Sequence, residues 1–157
     1  MMKRILITGI TGYIGSCLAS NLLASCEVYG LVRQPVRTEY ISKMQDRLHL
    51  LVFDGSYASI EDAMKKVKPD LVFHLAACCA NSNIVKDMPV LIDTNIKFGG
   101  YLLTAMAVSD IPALVYASTV WEHFHNKEYC PLNLYAATKR GFSDLVSYYT
   151  DAGYIRA

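Results

Sequence analysis

Thr8-Gly9-Ile10-Thr11-Gly12-Tyr13-Ile14-Gly15 is the stretch that decides the fold of this 157-residue chain. It follows an apolar run, residues 5–7, that has the composition of a β-strand, and it leads into residues 13–24, whose apolar side chains recur at helical spacing. Unpaired N–H groups at the start of a helix attract an anion, and a side chain in the turn would hold a phosphate away. The stretch therefore predicts a phosphate-binding turn, whose cofactor-contacting residues are Gly9, Thr11, Gly12, Tyr13, Ile14 and Gly15.

The rest of the chain alternates short apolar runs with longer helical patterns. The runs are residues 28–32, 48–53, 71–75 and 113–117, and the helical patterns are residues 60–67, 89–109 and 134–152. Nearly continuous apolar runs are typical of strands covered on both faces of a parallel sheet. The alternation predicts an α/β fold, a doubly wound parallel sheet with helices on both faces, in one domain over residues 1–157. Residues 154–157 are expected to open a sixth strand.

Composition excludes several other classes of protein. The formal net charge of +1 supplies no long-range field that would gather nucleic acid or an anionic membrane. No apolar stretch approaches the roughly 20 residues that span a bilayer. The five cysteines form no CxxC pair, which favours reduced thiols and a cytoplasmic location. His123 and His125 lack a matched cluster of ligands, so we expect no metal site.

The end of the second predicted strand selects the cofactor. In nucleotide-binding sheets of this kind an acidic residue about 20 positions beyond the glycines binds the ribose 2′-hydroxyl of NAD. That place holds Arg33, with Arg37 nearby and no carboxylate before Glu39. A guanidinium suits the 2′-phosphate of NADP. The sequence thus favours NADP over NAD, and a solvated loop charge remains the alternative interpretation of Arg33.

Tyr135 and Lys139 stand four residues apart on a predicted helix, so they lie on one face, one turn apart. An ammonium close to a phenol favours the phenolate, and we therefore expect Lys139 to lower the pKa of Tyr135. Such a tyrosine can exchange a proton with a substrate hydroxyl while hydride moves to or from a cofactor. Ser118 and Thr119 follow the fifth strand, where a hydroxyl can bind the substrate oxygen.

Taken together, these residues resemble the extended short-chain dehydrogenase/reductase family, the NAD(P)-dependent epimerases and dehydratases of sugar nucleotides. Five motifs in the family's order carry the resemblance: TGxxGxxG at 8–15, Phe53-Asp54-Gly55, His74-Leu75-Ala76-Ala77, Asp93-Thr94-Asn95, and Ser118-Thr119 followed by Tyr135-x-x-x-Lys139. The resemblance implies a Rossmann sheet of order 3-2-1-4-5. It also implies that Asp54 and Gly55 lie beside adenine, that Leu75, Ala76 and Ala77 lie beside the adenine ribose and the phosphates, and that Asn95 supports the cofactor site.

The same resemblance implies catalytic roles for Thr119, Tyr135 and Lys139. Tyr135 and Lys139 would also contact the cofactor, as would Ser118, which is the alternative to Thr119 as the catalytic hydroxyl. Trp121-Glu122-His123-Phe124 departs from the family's more usual Val-Tyr-Gly ending. The segment from Trp121 to Lys139 is most similar to bacterial deoxysugar reductases of the CDP-abequose synthase kind.

The implied function is that of an NAD(P)-dependent sugar-nucleotide epimerase, dehydratase or 4-ketoreductase. Two alternatives stay open: a reductase of a non-sugar carbonyl, and a non-catalytic dinucleotide-binding fragment. Family members continue well beyond the position of Ala157, so we expect the C-terminal substrate-binding domain to be absent. The site for the nucleotide-sugar partner would then be incomplete and turnover slow or nil. Surface that this domain would cover is expected to promote self-association, as in a homodimer.

Overall fold

A five-stranded parallel sheet forms the centre of the computed structural model, which describes residues 2–80 and 84–157. Its order is β3-β2-β1-β4-β5, as predicted. The strands are β1 (Lys3–Thr8), β2 (Cys26–Val32), β3 (His49–Val52), β4 (Leu71–His74) and β5 (Leu114–Tyr116). Ile7 of the central β1 aligns with Gly30 of β2 on one side and with Phe73 of β4 on the other. This register brings the ends of β1, β2 and β4 to one edge.

In the residues that the structure describes, five α-helices and several shorter helical turns connect the strands. The α-helices are α1 (Tyr13–Leu22), α2 (Tyr57–Val67), α3 (Ile84–Leu91), α4 (Phe98–Val108) and α5 (Leu134–Asp151). Two apolar clusters, one on each face of the sheet, form the core. One joins α2, α4 and α5 to the sheet, and the other joins α1 and the 3-10 helix Ser42–Arg47 to it. Coverage of both faces explains why the strands carry continuous apolar runs.

Two helix starts differ from the sequence prediction. The helix predicted over residues 60–67 begins at Tyr57, because the Ser56 hydroxyl accepts a hydrogen bond from Ser59 N and caps it. Where one helix is predicted over residues 89–109, helical structure is present from Ile84 as α3. The next segment, Ile92–Lys97, is a π-helix, and α4 follows it. Such widened turns occur often at functional sites.

The last residues of the chain lie beside β5, on the side away from β4. Arg156 N donates to Pro112 O at 2.8 Å, and Leu114 N donates to Arg156 O at 2.9 Å. These bonds make a parallel bridge between Ala113 and Arg156, in the position expected for a sixth strand. Within the described residues, no helix combines the length and apolar composition that crossing a membrane requires.

Candidate functional site

Most of the predicted site residues gather at the carboxyl edge of the sheet. Gly9 follows β1, Leu75 follows β4, and Ser118 lies two residues beyond β5. Because β1, β4 and β5 are parallel and adjacent in that order, their ends meet at one edge. Ala117 N donates to His74 O, so the chain after β5 stays beside the end of β4.

The glycine turn is packed too closely for side chains at two of its three glycines. A Cβ on Gly9, where φ is +74°, would lie 2.7 Å from Ala76 N, and one on Gly15 would lie 2.2 Å from Gly9 O. Both obstacles are backbone atoms, which cannot swing aside. Gly12 is less confined, at 3.3 Å from the same oxygen, and its N–H donates to that oxygen. Gly9 and Gly15 therefore allow α1 to start directly against β1 and β4.

The start of α1 is open to an anion. Gly12 is its N-cap and provides no side-chain hydrogen bond, and the first turn carries no acidic residue. Tyr13 and Ile14, the first two residues of the helix, are 70% and 65% exposed, whereas Thr11 is half-buried. The N–H groups of an uncapped first turn carry a partial positive charge. The turn thus has the shape and polarity that a pyrophosphate group requires.

A buried hydrogen-bond pair joins the glycine turn to the segment after β4. The Thr8 hydroxyl lies 2.8 Å from His74 Nδ1 and accepts a bond from Ala76 N at 3.2 Å. Burial, and secondarily the charge of Lys139, lowers the pKa of His74 to about 3. Thr8 therefore holds Leu75 and Ala76 in place next to Gly9, through its main-chain oxygen and through a hydroxyl that also contacts the neutral imidazole. The sequence motifs included Thr8 and His74, but not the contact between them.

The ends of β2 and β3 lie side by side, since Phe53 N donates to Val32 O at 2.7 Å. Arg33 follows β2 directly and Asp54 lies two residues beyond β3, and both are exposed. Asp54 Oδ1 accepts from Ser56 N at 2.8 Å and from Ser56 Oγ at 2.6 Å, and these bonds lower the pKa of Asp54. Gly55, which lies between Asp54 and Ser56, turns the chain with a φ of +99°. The edge thus presents one cation and one carboxylate at its β2–β3 end.

Asn95, on the π-helical turn, joins the segment after β4 to α5. Its Oδ1 accepts from Cys78 N at 2.8 Å, and its Nδ2 donates to Cys78 O and to Thr138 Oγ1, each at 2.9 Å. Asn95 is 2% exposed, so these bonds are shielded from water. Thr138 stands between Tyr135 and Lys139 on α5 and in turn donates to Tyr135 O. Asn95 therefore holds the segment after β4 next to the start of α5.

Tyr135 and Lys139 lie near the start of α5, which Asn133 caps by accepting from Ala136 N. Tyr135 is half-buried, and Lys139 is only 3% exposed. The Lys139 ammonium lies 5.7 Å from the centre of the Phe142 ring. Burial lowers the pKa of Lys139, and the nearby Glu122 partly opposes that effect.

The expected lowering of the Tyr135 pKa is wrong for this structure. Burial raises the pKa of Tyr135, and electrostatic interactions with Cys79 and Glu122 raise it further. The Lys139 ammonium instead faces the Phe142 ring, and its charge lowers the pKa of His74. The two residues share a helix face, but the spacing in the sequence did not reveal which other groups surround them.

The two hydroxyls after β5 have different partners. Ser118 Oγ donates to Glu122 Oε1 at 2.5 Å. Thr119 Oγ1 accepts from Trp121 N at 3.3 Å, a contact that leaves its hydroxyl hydrogen available for donation. The Trp121 ring meets Tyr135 edge-on, with centroids 6.1 Å apart, so this loop borders the tyrosine. Glu122 is the residue that sequence reasoning missed, because no motif marks it.

No group of three or more His, Cys, Asp or Glu side chains that could hold a metal ion occurs in the part of the chain that the structure describes. His123 Nδ1 is instead 2.8 Å from the main-chain oxygen of Glu128.

Curated proteins are similar in sequence to this chain over part of their own length. The chain is 28% identical over 149 residues to CDP-abequose synthase of Yersinia pseudotuberculosis, a match that covers 94% of this chain and 50% of that enzyme. It is 30% identical over 156 residues to Protein CapI of Staphylococcus aureus, covering 87% of this chain and 46% of CapI. The chain thus spans about half the length of these curated relatives.

Among solved structures, UDP-glucose 4-epimerase of Thermus thermophilus, determined in complex with NAD, has the same fold. The TM-score is 0.85 at 25% identity, over 98% of this chain and 52% of that one. The epimerase from Campylobacter jejuni, at 17% identity and a TM-score of 0.86, supports the fold alone. Residues 5–157 match the "NAD dependent epimerase/dehydratase family", and the chain belongs to that family.

Proposed function

We propose that this chain is the dinucleotide-binding part of an NAD(P)-dependent enzyme that acts on a sugar nucleotide by epimerisation, dehydration or reduction at a keto carbon. One observation carries the proposal: a glycine turn closed to side chains and a buried Lys139, one turn from Tyr135, face the same sheet edge. A phosphate-binding turn alone would support only nucleotide binding. The nearby phenol and hydroxyls add groups that can move a proton.

The dinucleotide would lie along the carboxyl edge. Its pyrophosphate would meet the N–H groups at the start of α1, where Gly9 and Gly15 let the backbone of the turn pack closely and Gly12 adds no side chain. Arg33 would bind the 2′-phosphate of NADP, which is our reason for favouring NADP over NAD. The remaining cofactor contacts that we assign are Thr11, Gly12, Tyr13, Ile14, Asp54, Gly55, Leu75, Ala76, Ala77, Asn95 and Ser118. When bound, the nicotinamide supplies the hydride acceptor or donor.

Tyr135, Lys139 and Thr119 would perform the proton chemistry. Burial favours the neutral phenol of Tyr135, which suits proton donation to a carbonyl oxygen that becomes a hydroxyl. Lys139, held over Phe142, would bind the nicotinamide ribose and support Tyr135. Thr119 would donate a hydrogen bond to the same substrate oxygen, because its hydrogen is not used by the contact with Trp121 N.

The relatives suggest the substrate class. CDP-abequose synthase and UDP-glucose 4-epimerase are named for nucleotide-sugars, and we extend that class to this chain. These relatives are about twice as long as this chain, and we assign the grip on the sugar nucleotide to the part that it does not span. A cytoplasmic location and self-association as a homodimer belong to the same proposal.

Fluorescence titration with NADPH and NADH tests the cofactor half of the proposal. We expect saturable binding, tighter for NADPH, and loss of that preference in Arg33→Ala. Lys43→Ala removes another exposed cation, on the 3-10 helix Ser42–Arg47, and should keep the preference. Absence of binding for both dinucleotides would overturn the proposal, whereas equal binding in both proteins would overturn only the role of Arg33.

Hydride transfer tests the catalytic half. NADPH oxidation is followed with a 4-keto sugar nucleotide, first by wild type and then by Tyr135→Phe. We expect equal NADPH affinity in the two proteins, and at most slow transfer by wild type, which Tyr135→Phe abolishes. Equal affinity with no transfer in either would identify a dinucleotide-binding unit without catalysis. Transfer that survives in Tyr135→Phe would exclude Tyr135 as the proton donor.

A further inference from the structure

Glu122 is a buried carboxyl group in a loop that is otherwise open to solvent. It is 3% exposed, although the flanking Trp121 and His123 are exposed. The main chain holds it on both sides: Glu122 N donates to Thr119 O at 3.3 Å, and Cys130 N donates to Glu122 O at 2.9 Å. A carboxylate removed from water is costly unless polar groups compensate it. Its surroundings therefore indicate what it does.

Three residues of the proposed site, Ser118, Tyr135 and Lys139, interact with this carboxylate. Ser118, four residues earlier in the chain, donates its hydroxyl hydrogen to Glu122 Oε1. Trp121, the preceding residue, packs edge-on against the Tyr135 ring. Lys139, on the facing helix α5, interacts electrostatically with Glu122, and so does Tyr135. The Glu122 carboxylate thus lies near the Ser118 hydroxyl, the Tyr135 phenol and the buried Lys139 ammonium.

We propose that Glu122 is a positioning residue of the site: it takes the hydrogen of Ser118 and keeps a negative charge beside Tyr135 and Lys139. The proposal rests on the proposed function in treating Tyr135 as the proton-transfer group. It goes beyond that function by assigning a role to a residue outside the recognised motifs.

Two consequences follow from this placement. Ser118 has a single hydroxyl hydrogen, and once Glu122 accepts it, Ser118 cannot also donate to a substrate oxygen. That role is left to Thr119. The negative charge also favours the ammonium form of Lys139 and the neutral phenol of Tyr135, whose pKa is raised first by burial and then by Cys79 and Glu122. Tyr135 is therefore held in its protonated form, from which it can donate a proton to a carbonyl oxygen.

Titration of Tyr135 tests the proposal without substrate or turnover. Tyrosine ring-carbon NMR signals are followed against pH in protein labelled at tyrosine, and Tyr135→Phe identifies the Tyr135 signal among the 11 tyrosines. Glu122→Gln keeps an acceptor for Ser118 but removes the charge, and we expect the Tyr135 midpoint to move to lower pH. Glu128→Gln, the same change at an exposed position of the same loop, should leave the midpoint where it is in wild type.

Substitutions at Ser118 give a second, independent measurement. Ser118→Ala frees the carboxylate and should lower the Tyr135 midpoint by less than Glu122→Gln does, whereas Ser118→Thr keeps the hydroxyl and should restore it. If Glu122→Gln does not fold, this pair decides the question by itself. A wild-type midpoint in folded Glu122→Gln, or equal midpoints in Ser118→Ala and Ser118→Thr, would overturn the proposal. Failure of hydride transfer would bear on the proposed function and leave this titration unaffected.

Discussion

Two adjacent glycines of α4, Gly99 and Gly100, should respond in opposite ways to the same substitution. A Cβ on Gly99 would lie 2.4 Å from Phe142 Cε2 and 2.5 Å from Phe142 Cδ2. A Cβ on Gly100 would lie 3.8 Å from Leu145 Cδ1, which is an ordinary contact. Both changes add the same methyl group to the same helix, so each serves as the control for the other.

The magnitude follows from how firmly Phe142 is held. Its ring is fully buried and packs against His74 at 4.9 Å and Tyr116 at 5.5 Å between centroids. Relief of the clash requires a movement of about 1 Å in a close-packed core, and such overpacking costs about 1–3 kcal/mol. Replacing glycine by alanine inside a helix contributes about 1 kcal/mol of stability in both variants. We therefore expect Gly100→Ala to be more stable than wild type by up to about 1 kcal/mol.

The difference between the two variants isolates the clash, because the helix-propensity gain cancels. The free energy of unfolding of Gly99→Ala should be about 1–3 kcal/mol lower than that of Gly100→Ala. Urea denaturation followed by circular dichroism measures that difference, provided that the two variants show the same dependence of the unfolding free energy on urea concentration. Equal midpoints for the two variants would refute the reasoning, since they would mean that Phe142 does not lie against Gly99.

Three further perturbations test other contacts of the site. Gly15→Ala would place a Cβ 2.2 Å from Gly9 O and should weaken NADPH binding at least about tenfold in a fluorescence titration, a loss of about 1.4 kcal/mol; Gly12→Ala, at 3.3 Å, should weaken it less, and the reverse order would contradict the packing. Stability should fall as the pH drops from about 6.5 towards 3, by up to about 1.4 kcal/mol per pH unit, because the unfolded chain protonates His74 while the native pKa of about 3 keeps it neutral. The urea midpoint should change less between neutral and acidic pH in His74→Gln than in wild type. The same change with pH in both proteins would exclude His74 as the cause. Asn95→Ala removes three hydrogen bonds, one buried and two partly buried, and should lower the free energy of unfolding by about 2–4 kcal/mol, whereas a change below about 1 kcal/mol would mean that water replaces them.

Much of the fold could be predicted because its signals are local. Apolar runs and helical spacing lie within single elements, and the parallel sheet follows from their alternation, whereas the strand order 3-2-1-4-5 was implied by the family resemblance. The start of α3 was missed because Pro89 resembles a first helical residue, whereas it is the sixth residue of that helix. The π-helical turn at Ile92–Lys97 also had no signal, since the same residues suit a regular α-helix.

The groups to which we assign proton transfer were predictable as residue types, but their electrostatic setting was not. A tyrosine and a lysine one turn apart are visible in the sequence, and they suggest an isolated pair in which the ammonium lowers the phenol pKa. The fold turns the Lys139 ammonium towards Phe142 and His74, and it brings Glu122 from another loop beside both residues. Burial and the charge of Glu122 then raise the pKa of Tyr135. The protonation state of the Tyr135 phenol therefore depends in part on a contact between distant elements, and predicting it requires the folded chain.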